Sequence, residues 1–181
     1  MVLFAIFLPS IVRPILFCVH LCMGPFQVVS IPGRGLGCCA TRDIAQGERL
    51  LVESPLTVQG GNCPSLERTV AALPLRDRER FFSLSQNEAI APGKFWSTQQ
   101  PGAKTPEGIA ATNGIPFRHL GTVYGGIFPT TSRFNHSCCS NAAYKWNSAL
   151  NKLTVHATIG IRKGDESATR CQPAPLTCLC V

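Results

Sequence analysis

The sequence predicts a β-rich α+β fold, in which short strands predominate and helices are few and short. Three observations carry this. Apolar runs at 26–31, 36–41 and 49–53 are separated by turn-forming residues. A period of 3.6 is confined to 65–90. Alternation returns at 142–147 and 153–159, on either side of a polar connection. A chain of 181 residues, 45% hydrophobic and 15% charged, can bury its own core, and its composition excludes collagen, coiled coil and wholesale disorder.

Residues 1–24 stand apart. The opening MVLFAIFL is wholly apolar, Arg13 is the single formal charge through Met23, and Pro9 and Pro14 interrupt the run. A secretory signal needs a positive start and a small-residue cleavage site, and a membrane span needs about 20 nearly uncharged apolar residues. The segment meets neither description, so it is expected to be a hydrophobic leader or a disordered segment. Membrane anchoring by residues 1–23 is the second reading.

From Phe26 the elements follow in order. Phe26–Ile31 ends at the turn pair Pro32-Gly33, and Arg42–Glu48 supplies turn chemistry between the second and third runs. Three strands within thirty residues predict a small antiparallel sheet. Leu66, Val70, Leu73, Phe81, Phe82 and Leu84 fall at helical spacing, and Pro74 divides them into one or two short helices. Residues 91–106 contain Pro92, Gly93, Pro101, Gly102 and Pro106 and read as a loop. Thr105 can cap a further helix with Pro106 at its first position. Ala142–Asn147 and Leu153–Ile159 read as a hairpin. Beyond Gly164, SATRCQPAPLTCLCV has neither period.

Charge and cysteine usage bound the partners. Seventeen Lys+Arg against ten Asp+Glu give a net charge of +7. The basic residues are scattered, and Arg76, Arg78 and Arg80 are interleaved with Asp77 and Glu79, so no dedicated nucleic-acid site is expected. Ten cysteines include the adjacent pairs Cys38-Cys39 and Cys138-Cys139, which suit one-to-one bridging poorly. A reduced, nuclear or cytoplasmic chain is the expectation.

Two stretches could carry chemistry. Gly33-Arg34-Gly35-Leu36-Gly37 is a glycine-rich bend between strands; it lacks the spacing of a dinucleotide fingerprint and the Lys-Ser/Thr of a phosphate loop. Phe134-Asn135-His136-Ser137-Cys138 sets an amide, an imidazole, a hydroxyl and a thiol side by side. It reads as a self-capping polar turn, as a Cys/His nucleophilic pair, or as part of a metal site, although it supplies at most two zinc ligands.

The succession PGRGLG, ATRDIAQGE, SRFNHSCCSN, AAYKWNS, LTVHA and IRKGDE resembles the SET domain of protein-lysine methyltransferases, over about residues 26–166. The likeness is to fungal and SMYD-type SET proteins, without a MYND zinc finger. It implies several small antiparallel sheets, S-adenosylmethionine as cofactor, and a protein substrate offering a lysine, histone or non-histone. By position, the resemblance assigns cofactor binding to Gly33, Arg34, Gly35, Leu36, Asn113, Ser132, Asn135 and His136. Cys138 matches a cysteine that in many members joins a zinc with three cysteines of a later segment.

The departures lie at the end. Cys171 stands where the family has its catalytic tyrosine, and Tyr124 and Tyr144 both lie earlier, so no catalytic residue is assigned. A thiol hydrogen-bonds weakly and has no ring with which to wall a lysine channel. CQPAPL replaces the threading strand, and Cys178 and Cys180 match only the start of a zinc-binding Cys-x-Cys segment. The expected organisation is a leader at 1–24, a SET-like body at 25–166 with a helical and loop insert at 65–110, and an aberrant tail at 167–181. The pseudoknot is expected to be incomplete. The functional expectation is a lysine methyltransferase, inactive as written, with weak or absent cofactor binding. The alternative is a non-catalytic protein-interaction module or a truncated gene product.

Overall fold

The computed structural model describes residues 22–86 and 104–169. Nearly all of the leader, most of the loop at 91–106, Cys171, Cys178 and Cys180 lie outside the described residues. In chain order the elements are β1 (Cys22–Met23), β2 (Phe26–Ile31), β3 (Gly35–Ala40), β4 (Arg49–Glu53) and β5 (Thr57–Gln59). Next come α1 (Leu66–Ala71), α2 (Leu75–Phe82), α3 (Pro106–Asn113), β6 (Gly114–His119) and β7 (Thr122–Ile127). A 3-10 turn at Thr131–Arg133, β8 (Ala142–Asn147), β9 (Lys152–Ala157) and β10 (Glu166–Ser167) complete the series. They form three antiparallel sheets, ordered β1-β2-β3-β10, β4-β9-β8 and β5-β7-β6.

Local chemistry explains most boundaries. Between β3 and β4, the Arg42 guanidinium grips the Glu48 carboxylate, which also accepts the Ala45 N–H. That hydrogen bonding holds the Glu48 carboxyl below its ordinary range. Pro74 separates α1 from α2 by opening the second helix. Thr105 caps α3, its hydroxyl accepting the Gly108 N–H at 3.0 Å, with Pro106 in the first turn. The β6–β7 hairpin escapes the alternation test for two reasons. Pro116 interrupts β6, which it can do because β6 is an edge strand. Gly126 in β7 is required sterically, since a Cβ there would lie 2.6 Å from the Phe128 ring and 2.9 Å from Phe117.

Three buried clusters hold the sheets together. The largest packs Phe26, Cys38, Ile44, Leu50, Phe134, Val155 and Ile161, with the rings of Phe26 and Phe134 edge to face at 4.9 Å. A second joins the helices through Leu66, Val70, Phe81, Leu84, Ile109 and Ile127. A third packs Ile115, Phe117, Phe128 and Leu153, with Trp146 stacked on Phe117 at 4.1 Å.

The chain past Glu166 revises the expected boundary. β10 pairs with β3 through Glu166–Cys39 and Ser167–Cys38. Beyond it, the Thr169 N–H donates to the Asn135 carbonyl and the Ser137 N–H donates to the Thr169 carbonyl, both at 2.9 Å. The Ala142 N–H reaches the Ala168 carbonyl at 3.0 Å. Residues 166–169 therefore run between β3 and the 135–142 segment, and Ser167, Ala168 and Thr169 are buried. The body extends at least to Thr169 rather than stopping at Glu166. Periodicity could not reveal this, because a two-residue strand and a two-sided backbone clamp leave no hydrophobic pattern.

Burial pushes the Cys38 thiol well above its ordinary value of 9.0, with neighbouring Cys39 adding to the rise. Cys63 and Cys139 are exposed. Alkylation at pH 8 followed by peptide mapping should modify Cys63 and Cys139 rapidly and Cys38 only on unfolding. The sign for stability follows from the same shift. The unfolded thiol ionises and the folded one does not, so this contribution is whole below 9.0 and declines as pH rises past it. Equal labelling rates at Cys38 and Cys63 would contradict the packing described.

Candidate cofactor site

The turn joining β2 to β3 is built for exposure. Gly33 and Gly35 have φ of +73° and +72°, the left-handed region that glycine enters without penalty. A Cβ at either would meet nothing within 4 Å, so glycine is required by conformation, and the backbone stays open to a ligand. The Arg34 N–H closes the turn on the Ile31 carbonyl at 3.0 Å.

Glu166 ties this turn to the Asn-His segment. Its Oε2 accepts from Arg34 Nη1 and its Oε1 from Asn135 Nδ2, each at 2.7 Å. Arg34 Nη2 donates to the His136 carbonyl, also at 2.7 Å. Gly37 permits the approach, because a Cβ there would collide with Ile31 Cδ1 and lie 2.7 Å from Asn135 Nδ2. Asn141 holds the next backbone units, its Nδ2 donating to the Glu166 carbonyl and its Oδ1 accepting the Ala168 N–H, both at 2.8 Å.

A second group forms at the C-terminal end of α3. Asn113 Nδ2 donates to the Ile109 and Ser85 carbonyls, at 2.8 and 2.7 Å, so its amide finishes the helix and ties it to the chain after α2. The Asn113 carbonyl accepts from Ser132 Oγ at 3.4 Å. Arg133 Nη2 reaches the Ser83 carbonyl and hydroxyl, and burial lowers the pKa of its guanidinium. The short run from Ser132 to His136 joins this group to the first.

The structure thus gathers Gly33, Arg34, Gly35, Asn135 and His136 around Glu166, and sets Asn113 beside Ser132. Leu36 is 46% exposed on the open turn. Cys138 is exposed, and no group of three or more His, Cys, Asp or Glu suited to a metal occurs among the described residues. Glu166 and Gly37 are contributors that sequence reasoning used only as landmarks. Their signal was the closeness of Glu166 to the end of the matching motifs and the third glycine of the bend.

The SET domain family model matches residues 35–166. The chain is 28% identical over 144 residues to the Histone-lysine N-methyltransferase set5 of Schizosaccharomyces pombe. That alignment covers 80% of this chain and 41% of the relative, so the chain spans about two fifths of that protein's length. The methyltransferase domain of human Histone-lysine N-methyltransferase SETMAR is a structural neighbour, with a TM-score of 0.45 and 17% identity, covering 80% of this chain and 43% of that one. The matched span begins at Gly35, the last residue of the glycine turn, and holds the Asn135-His136 pair and the Glu166 carboxylate, and the chain belongs to the SET domain family.

Proposed function

We propose that this chain is a protein-lysine methyltransferase module of the SET family that binds S-adenosylmethionine at the Gly33–Leu36 turn but transfers methyl poorly or not at all. The observation that carries the reading is the joining of the turn to Asn135 and His136 by one carboxylate, Glu166. The donor set fits the amino-acid end of the cofactor. A guanidinium suits a carboxylate, and a carboxylate and a carbonyl suit an ammonium; in this structure Arg34, Glu166 and the His136 carbonyl pair with one another, so binding would exchange these contacts for contacts to the cofactor. Ser132 and Asn113 border the same segment.

When bound, S-adenosylmethionine supplies an electrophilic sulfonium methyl group. The chain's own task is to orient the cofactor and to align a neutral lysine amine with it, and such alignment is the main source of rate in a displacement of this kind. At position 171 a thiol stands in place of the family's phenol, and it supplies neither a strong hydrogen bond nor an aromatic wall. The acceptor is a protein lysine; the name of the yeast relative supports a histone. A nuclear or cytoplasmic site suits that substrate, and none of the described helices is long and apolar enough to cross a membrane. Cys138 is exposed, and Cys178 and Cys180, the later cysteines that the resemblance would bring to a shared zinc, lie outside the described residues.

Titration calorimetry with S-adenosylmethionine tests the cofactor half. The chain should give a micromolar or weaker isotherm. Asn135→Ala should weaken it at least about tenfold, the scale of losing a hydrogen bond to a charged group. Equal isotherms for the two proteins, or no heat with either, would refute the assignment.

A further inference from the structure

We infer that Glu53 is a positioning residue for the cofactor segment, its buried carboxylate clamping the turn that presents Ser132, Asn135 and His136. The inference rests on the cofactor reading above. Glu53 ends β4, opposite Leu153 of β9, and is only 8% exposed. Three donors converge on its two oxygens. The Thr130 N–H reaches Oε1, and the Thr131 N–H and hydroxyl reach Oε2, each at 2.8 Å. Arg80 of α2 is the nearest cation, with Nη2 at 3.8 Å from Oε1.

These are the amides that a 3-10 turn leaves unpaired at its start, and Thr130 and Thr131 are themselves buried. Water is therefore not their partner, and the carboxylate is. An amide side chain would serve less well, because its NH₂ would face one of the N–H donors. Burying the charge costs desolvation, which charge-assisted bonds from three converging donors offset.

The clamp reaches the site by a short covalent path. The Phe134 N–H donates to the Thr131 carbonyl at 3.0 Å, closing the turn. Phe134 locks edge to face against Phe26, and the next residue, Asn135, delivers its amide to Glu166. Ser132 lies inside the turn itself. Displacing Thr130 and Thr131 would shift Ser132 and the two residues after Phe134 together.

The test uses the full chain and Glu53→Gln, which conserves volume, with Glu53→Ala as the harsher change. Each is read by S-adenosylmethionine titration and by hydrogen exchange over 130–137. Glu53→Gln should bind at least tenfold more weakly and exchange faster over 130–137, while β8 and β9 exchange as before. Leu66→Ala, in the helical core away from this turn, serves as a destabilised control and should keep the unmodified affinity. Unchanged affinity in Glu53→Gln, or an equal loss in Leu66→Ala, would overturn the positioning role. Failure of the unmodified chain to bind S-adenosylmethionine would instead refute the cofactor reading, and the exchange rates alone would then decide whether Glu53 holds the segment.

Discussion

Phe26→Ala should lower the unfolding free energy by about 3–5 kcal/mol, read as a shift of the urea midpoint at constant slope. The side chain is fully buried in the largest cluster, and its ring sits edge to face on Phe134 at 4.9 Å. Truncation removes the transfer free energy of the ring and leaves a cavity walled by the strands β2, β3 and β9. The same change loosens Phe134, the residue immediately before Asn135, so cofactor affinity should fall even under conditions where the protein remains folded. Phe26→Leu keeps most of the volume and should cost far less, under about 1.5 kcal/mol. A loss below about 1 kcal/mol for the alanine variant would mean that this cluster does not hold the fold together.

What the sequence made legible had a local cause. β2, β3 and β4 announce themselves by short apolar runs between turn residues, and the observed strands differ from the predicted runs by no more than a residue at either end. β8 and β9 follow the alternation around Tyr144, Trp146 and Val155. Thr105 and Pro106 mark the start of α3 through capping chemistry alone. By contrast, β6 and β7 are hidden by Pro116 and by the Gly125-Gly126 pair; at Gly126 close approach to the Phe117 and Phe128 rings matters more than strand propensity.

The site divides the same way. Asn135, His136 and the glycine turn are legible through the order of motifs, since no period or spacing ties residue 34 to residue 166. The Arg34–Glu166 and Glu53–Thr131 contacts join positions 132 and 78 residues apart, and only the folded sheets bring them together. Asn113 shows the limit of position matching. Its carbonyl accepts from Ser132, while its side-chain amide is occupied by the Ile109 and Ser85 carbonyls.

The second large effect concerns methyl transfer. Backbone pairing with the body continues through Thr169, and on the proposed reading Cys171 takes the place that the family resemblance gives to a phenol. Losing an orienting group at a reacting centre costs about 10²-fold or more, because a small misplacement of the acceptor defeats in-line displacement. Replacing residues from 170 onward with the terminus of an active SET methyltransferase should therefore raise transfer by at least that factor. The upstream half would be left as it stands, with Arg34, Asn135 and Glu166 already joined. A graft that binds S-adenosylmethionine and stays silent would move the defect upstream of Thr169.

The most direct measurement is transfer of labelled methyl groups to histones and whole-lysate proteins, by the unmodified chain and by the graft side by side. Background incorporation is expected from the unmodified chain, and at least about 10²-fold more from the graft. Clear incorporation by the unmodified chain, comparable with that of the graft, would contradict it.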